Sequence, residues 1–318
     1  MRITVLAGGI GAARFLRGLL AHLDVAHPGA EVTVIGNTGD DITLFGLHVS
    51  PDLDTVMYTL GGGIHPEQGW GRAEETRAVQ AELTAYGEPP DWFTLGDKDI
   101  ATHLVRTRML REGATLSAAT AALCERWRPG VRLLPMSDDP VTTTVDIEDG
   151  AGARRVHFQE YWVRLHAEPP ALKIHFEGSD TATPGPGVLA AIANADVVVF
   201  PPSNPVVSIG AILAVPGIRA AVCAASAPVV GVSPVIGGAP VRGMADKVLA
   251  AIGVETSAAA VALHYGPDLL DGWLVDTADA DAVTAVAAGG IRSRAVPLRM
   301  TDVPATAAMA AAALELVR

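Results

Sequence analysis

Short runs of continuous apolar, β-branched residues alternate along this chain with longer stretches in which apolar positions return every three or four residues. The runs fall at 3–7, 31–36, 196–201, 228–232, 272–276 and 295–298, are bounded by turn residues, and predict strands. Between most of them the helical period predicts helices at 12–23, 73–86, 99–111, 116–127, 244–252 and 303–316. A strand that is apolar on consecutive positions has both faces covered, which points to a parallel sheet. Strand and helix alternate at both ends of the chain. The predicted fold class is therefore α/β, a Rossmann-like, doubly wound and mostly parallel sheet.

The middle of the chain follows a different pattern. Segments at 131–134, 141–148, 154–164 and 172–177 read as strands in succession, with Glu148-Asp149-Gly150-Ala151-Gly152 as a hairpin turn between two of them. This predicts a small β-rich insertion at 130–180 within one domain spanning 1–318.

Composition narrows the function. The net charge is −12 and lysine occurs only at Lys98, Lys173 and Lys247, so no basic stripe exists to neutralise a nucleic-acid backbone. Cys124 and Cys223 stand far apart in alanine-rich stretches, which fits reduced, buried thiols and a cytoplasmic protein. The apolar opening could pass for a secretory leader, but Gly8, Gly9 and Gly11 cut it short and Arg14 and Arg17 follow, so none is expected there. The stretch 211–241 carries only Arg219 as a charge, but Pro216, Pro228 and Pro234 break it into pieces too short to span a bilayer. That stretch and the alanine-rich helix at the carboxyl end leave room for a homodimer interface, and a buried core explains them equally well.

The first strand leads into Gly8-Gly9-Ile10-Gly11 and then a helix, so unpaired backbone N–H groups can face an anion, and Arg14 adds a cation in the first turn. Asn37-Thr38-Gly39-Asp40-Asp41 and Ser50-Pro51-Asp52-Leu53-Asp54-Thr55 place carboxylates nearby. Carboxylates repel a phosphate unless a cation lies between them, so the combination predicts Mg²⁺-assisted chemistry on a nucleotide or diphosphate. A dinucleotide site is disfavoured: counting from Gly9, Arg14 occupies the third glycine position, and the second strand ends at Asn37 rather than an acid.

Asp52, just after Pro51, suits a helix cap, which leaves Asp54 as the ligand candidate. Asp97 or Asp99 suits a cap for the helix that follows, while Lys98 between them can stabilise developing negative charge beside a diphosphate. Pro202-Ser203-Asn204-Pro205 follows a strand directly, at the sheet edge where open α/β folds bind ligands, and Ser208 adds a further hydroxyl. Ser233-Pro234 repeats the arrangement after the next strand, and Gly237-Gly238 with Arg242-Gly243 adds a turn and a cation. His157-Phe158-Gln159-Glu160-Tyr161-Trp162 alternates polar and aromatic residues on an expected strand, a candidate stacking face.

Taken in order, these motifs resemble the 2-phospho-L-lactate transferase family of coenzyme F-420 biosynthesis, in particular its actinobacterial members. Leu95-Gly96-Asp97-Lys98-Asp99, Ala101-Thr102-His103 and Pro135-Met136-Ser137-Asp138-Asp139-Pro140 extend the match, as do Ser203-Asn204 and Ser233-Pro234-Val235-Ile236-Gly237. The resemblance implies transfer of a phospho-organic-acid group from a guanosine-diphosphate-linked donor to 7,8-didemethyl-8-hydroxy-5-deazariboflavin, with release of GMP and with Mg²⁺ assistance. The transferred acid is lactyl, enolpyruvyl or glyceryl in different members. The resemblance makes Asp54 and Lys98 the catalytic candidates and places Thr55, Tyr58 and Trp162 with them beside the deazaflavin. It puts Gly8, Gly9, Gly11, Asn37, Ser203, Asn204 and Ser233 around the guanosine phosphates, and Asp54, Asp41 and Asp40 around the metal. A non-catalytic regulator of the same fold that binds a nucleotide sugar is the alternative. Asp54 with the aromatic set Tyr58, Trp70 and Trp162 weighs against it.

Overall fold

The computed structural model describes residues 1–150 and 152–318. Seven strands form one parallel sheet: β1 (Arg2–Ala7), β2 (Glu31–Gly36), β5 (Arg132–Pro135), β9 (Val197–Phe200), β10 (Val229–Val232), β13 (Gly272–Val275) and β14 (Arg292–Ala295). Their order is β14-β13-β10-β9-β1-β2-β5. The chain builds outward from β1 in one direction, returns to β9 on its other side, and then builds the opposite way. This is the doubly wound arrangement, with its reversal between β1 and β9. Alternate side chains of these strands enter different cores: Leu6, Ile35 and Val198 one, Val5, Val34 and Val199 the other. Continuous apolar strands arise because both faces are covered.

The smaller strands are β3 (Ile42–Leu44) with β4 (Leu47–Val49), and the ribbon β11 (Val235–Ile236) with β12 (Ala239–Pro240). The insertion is an antiparallel sheet of β6 (Thr142–Asp149), β7 (Gly152–His157) and β8 (Ala171–Glu177), in the order β7-β6-β8. Of the turn read at Glu148 to Gly152, Ala151 lies outside the described residues.

Three expectations shift. The run at 131–134 belongs to the main sheet as the parallel edge strand β5, so the β-rich insertion begins after it. The strand expected at 295–298 ends at Ala295; Arg292 and Arg294 suit an exposed edge, and Pro297 has no N–H for a ladder. The strand expected to run to 164 stops at His157, and Glu160–Arg164 is a wide helical turn, so Trp162 stands on a helix rather than on a strand face.

Five helices shape the amino-terminal half: α1 (Ile10–Ala26), α2 (Pro51–Leu60), α3 (Ala78–Ala85), α4 (Asp97–Arg111) and α5 (Leu116–Trp127). The starts of α3 and α4 cap one another. Asp97 accepts from the amides of Ala78 and Val79, and Glu75 accepts from those of Lys98 and Asp99. Asp97 is therefore a cap, as its sequence position suggests, but for α3 rather than for its own helix. Much of the stretch 211–241 is core, as is one face of the carboxyl-terminal helix Val303–Leu316, so the buried-core reading accounts for both. Among the described residues no helix is long and apolar enough to cross a membrane.

Candidate active site

A cavity of about 960 Å³ opens where the sheet reverses. Its floor is the turn after β1 (Gly9, Ile10, Gly11) and the segment after β9 (Pro202, Ser203, Asn204). Asp40, Asp52 and Thr55 line it, with Arg14, Arg242 and Arg299 as cations and Trp70, Phe158 and Trp162 as aromatic wall.

The glycines are there because neighbours press on the turn. A Cβ on Gly9 would stand 2.7 Å from the Asp52 carboxylate, one on Gly11 would collide with the Pro202 carbonyl, and Gly8 lies equally close against Ser208. The bare backbone thus admits an acid as well as any phosphate: the Gly9 amide and the Asn37 side chain both favour ionised Asp52.

Asp52 and Asp54 sit two residues apart on α2, about 200° around its axis, and therefore face opposite ways. Asp52 points at the glycine turn and lines the cavity. Asp54 points at α4, where both its oxygens are taken by the Arg106 guanidinium, with Arg106 Nη1 at 3.1 Å from Oδ2 and the second contact Nη2 to Oδ1. His103 Nδ1 lies 3.7 Å from Asp54, and His103 Nε2 lies 3.4 Å from Asp99, which accepts from the Tyr58 hydroxyl at 2.7 Å. Asp54 and Tyr58 therefore belong to a buried network behind the cavity wall. The faces are the reverse of the sequence expectation, which took Asp54 for the ligand and Asp52 for the cap; in the structure Ser50 precedes the helix.

Asn37 is fully buried and uses both ends of its amide on the protein. Its Nδ2 donates to Asp52 Oδ2 at 3.0 Å and to the Val207 carbonyl at 3.3 Å, and its Oδ1 accepts from the Gly39 amide. It positions Asp52 and does not reach the cavity. Asp41 likewise turns away, accepting from Ser50 at 2.7 Å and standing 2.9 Å from His48 Nε2. Lys98 is at the surface, its ammonium 3.3 Å from the Ala73 carbonyl and 3.9 Å from Glu74, outside the cavity lining. Asn204 caps the helical turn after it through Oδ1, and the Ser233 hydroxyl both donates to and accepts from Val235 within its own loop. Ser203 Oγ, buried on the cavity wall, has no protein partner.

Two buried acids face the cavity together. Burial pushes the Asp52 carboxyl up to about 7, and burial followed by the charge of Asp52 holds Asp40 well above the usual range. Asp40 Oδ1 has no hydrogen-bond partner. Acids that resist joint ionisation, with an oxygen left over, fit a hard cation with oxygen ligands. Among the described residues no three acid, histidine or cysteine groups are placed to hold a metal by themselves. The fit is to a cation that completes its shell with water and substrate oxygens, as Mg²⁺ does.

A doubly wound sheet with a cavity at its reversal, a close-packed glycine turn, paired acids and converging guanidinium groups defines an α/β protein built for a phosphorylated ligand. The chain belongs to the family described as 2-phospho-L-lactate transferase CofD, whose profile matches residues 3–308. It is 71% identical over 316 residues to the phosphoenolpyruvate transferase of Kitasatospora aureofaciens, covering 99% of this chain and 98% of that one. It is 67% identical, with the same coverage, to the protein of that name from Streptomyces coelicolor. A solved UPF0052-family protein from Bacillus halodurans shares the fold, with a TM-score of 0.64 at 18% identity over 99% of this chain and 100% of that one.

Of the residues this site uses, the sequence hides Asp52 behind its capping position. It also gives no reason to join Arg242 to Arg14, which lie far apart in the chain.

Proposed function

We propose that this chain is a Mg²⁺-dependent transferase of coenzyme F-420 biosynthesis that moves an enolpyruvyl phosphate group from a guanosine-diphosphate-linked donor to 7,8-didemethyl-8-hydroxy-5-deazariboflavin, releasing GMP. Family membership supports the reaction, and the relatives called phosphoenolpyruvate transferases support the enolpyruvyl group. The observation that carries the chemistry is the pair Asp40 and Asp52 facing the cavity across the glycine turn.

In this reading the terminal hydroxyl of the acceptor side chain attacks the phosphorus that bears the acid, and the bond to GMP breaks. Asp40 and Asp52 would hold Mg²⁺, which when bound neutralises the diphosphate oxygens and the charge developing on the leaving phosphate. Asn37 and the Gly9 amide fix the Asp52 carboxylate, and Arg106 holds Asp54 and with it the first turn of α2. Ser203 Oγ offers a free hydroxyl to the donor's phosphates or ribose. Trp162, packed on Phe158 with ring centroids 5.7 Å apart, and Trp70 form a flat wall for the deazaflavin, with Thr55 beneath it. Lys98 acts at one remove, steadying through Ala73 the loop that carries Trp70. The reading includes a cytoplasmic setting, in keeping with free thiols at half-buried Cys124 and at Cys223, which is exposed rather than buried as its alanine-rich setting suggests. It also includes pairing of two copies, for which exposed Leu104 and Val105 on α4 supply apolar surface.

The test is incubation of purified protein with the deazaflavin, Mg²⁺ and, in parallel, enolpyruvyl, lactyl and glyceryl donors, with GMP as readout. Fastest release from the enolpyruvyl donor is expected. Absence of GMP from all three overturns the reading.

A further inference from the structure

One wall of the cavity carries charge that the metal pair does not explain. Arg14, in the first turns of α1, has no hydrogen-bond or ion-pair partner in the described protein, and Arg242, on the turn after β12, has no acidic partner. The two converge on Gly69: a Cβ built there would lie 3.4 Å from Arg242 Nη1 and 3.5 Å from Arg14 Nη2. Burial and then the charge of Arg14 hold the Arg242 guanidinium below its ordinary value, so the pair is mutually unfavourable as it stands. Arg242 also donates to the Gln68 carbonyl, tying down the loop that presents Trp70 to the cavity. Like charges brought together in a cavity that also holds a buried hydroxyl without a partner, Ser203 Oγ, form a receptor for a multiply charged oxyanion.

We infer that Arg14 and Arg242 form a two-guanidinium clamp for an oxyanion of the donor, phosphate or carboxylate, separate from the Asp40 and Asp52 cation pair. The clamp rests on the proposed donor chemistry, in which a nucleoside diphosphate carries a carboxylic acid on its far end. It answers a charge problem which one divalent cation leaves unsolved, because the donor carries more negative charge than the cation neutralises. Since Arg242 also holds Gln68, an anion in the clamp sets the position of Trp70 on the acceptor side.

The experiment measures direct binding of three fragments, GMP, GDP and phosphoenolpyruvate, by calorimetry in the presence of Mg²⁺. The proteins compared are the wild type, Arg14→Gln, Arg242→Gln and the exposed control Arg17→Gln. No turnover is needed, so the result stands apart from the GMP-release assay that tests the reaction itself. Each clamp variant should weaken one fragment by about 10–100-fold, the range for losing a charge-assisted contact, while Arg17→Gln leaves all three unchanged. Loss confined to GDP assigns the clamp to the second phosphate, and loss confined to phosphoenolpyruvate assigns it to the acid end. Arg14→Gln leaves the Arg242 hydrogen bond to the Gln68 carbonyl in place, so it separates lost charge from a loosened loop. Wild-type affinity of Arg14→Gln for all three fragments overturns the clamp.

Discussion

At the residue scale the site turns on which way two aspartates point. The sequence makes Asp52 the cap and Asp54 the ligand, yet the helical rotation between them sends Asp52 to the cavity and Asp54 to Arg106. Their substitutions should separate accordingly. Asp52→Asn removes a charge that burial disfavours, so it should leave the fold as stable as before or more so while turnover falls by several orders of magnitude. Arg106→Met leaves Asp54 charged, buried and unpaired, and should cost about 3–5 kcal/mol of stability. Urea unfolding alongside GMP release checks both, and a destabilised Asp52→Asn would contradict the assignment. Asp54 is legible as a special residue because it follows Ser50-Pro51-Asp52 in a carboxylate-bearing segment that accompanies the glycine turn. Its partner is not legible, since Arg106 lies 52 positions on.

At the element scale the start of α1 is the least tolerant feature. The turn is wedged between α2 and the segment after β9, so the glycines respond to the Asp52 carboxylate and the Pro202 carbonyl as well as to any ligand. Gly11→Ala should force these two segments apart, lowering the melting temperature and raising the KM for the donor. An alanine variant with wild-type values for both would show that the segment after β9 yields freely. The sequence shows this turn plainly, because three glycines after an apolar strand have few other uses. It misreads 157–162, where alternation of polar and aromatic residues fits a strand and a helical turn alike. Only the packing of Trp162 against Gly243 and Phe158 decides between them. It also cannot say which helix Asp97 caps, because α3 and α4 start side by side only once the loop between them is folded.

At the scale of the whole molecule, the buried acids make stability depend on pH and on metal. Between the ordinary aspartate value and about 7 the folded protein keeps on Asp52 a proton that the unfolded chain has released. The metal-free protein should therefore lose stability as pH rises through that interval, with Asp40 and Asp41 acting in the same direction. Mg²⁺ competes with those protons, so its stabilising effect should be small near pH 5 and largest near pH 8. Melting curves across that range, with and without Mg²⁺, check this; a Mg²⁺ shift greatest at acid pH would contradict it.

The sequence by itself determined the layer structure of this protein, its sheet class, its glycine turn and the family to which it belongs. Those features rest on local signals, hydrophobic period and turn chemistry, which need no partner from elsewhere in the chain. Tertiary structure alone decided that Val131-Arg132-Leu133-Leu134 extends the main sheet, that Asp52 rather than Asp54 faces the cavity, and that Arg14 meets Arg242. Each of these depends on the rotation of a helix or on the closure of a long loop, and a linear pattern carries neither.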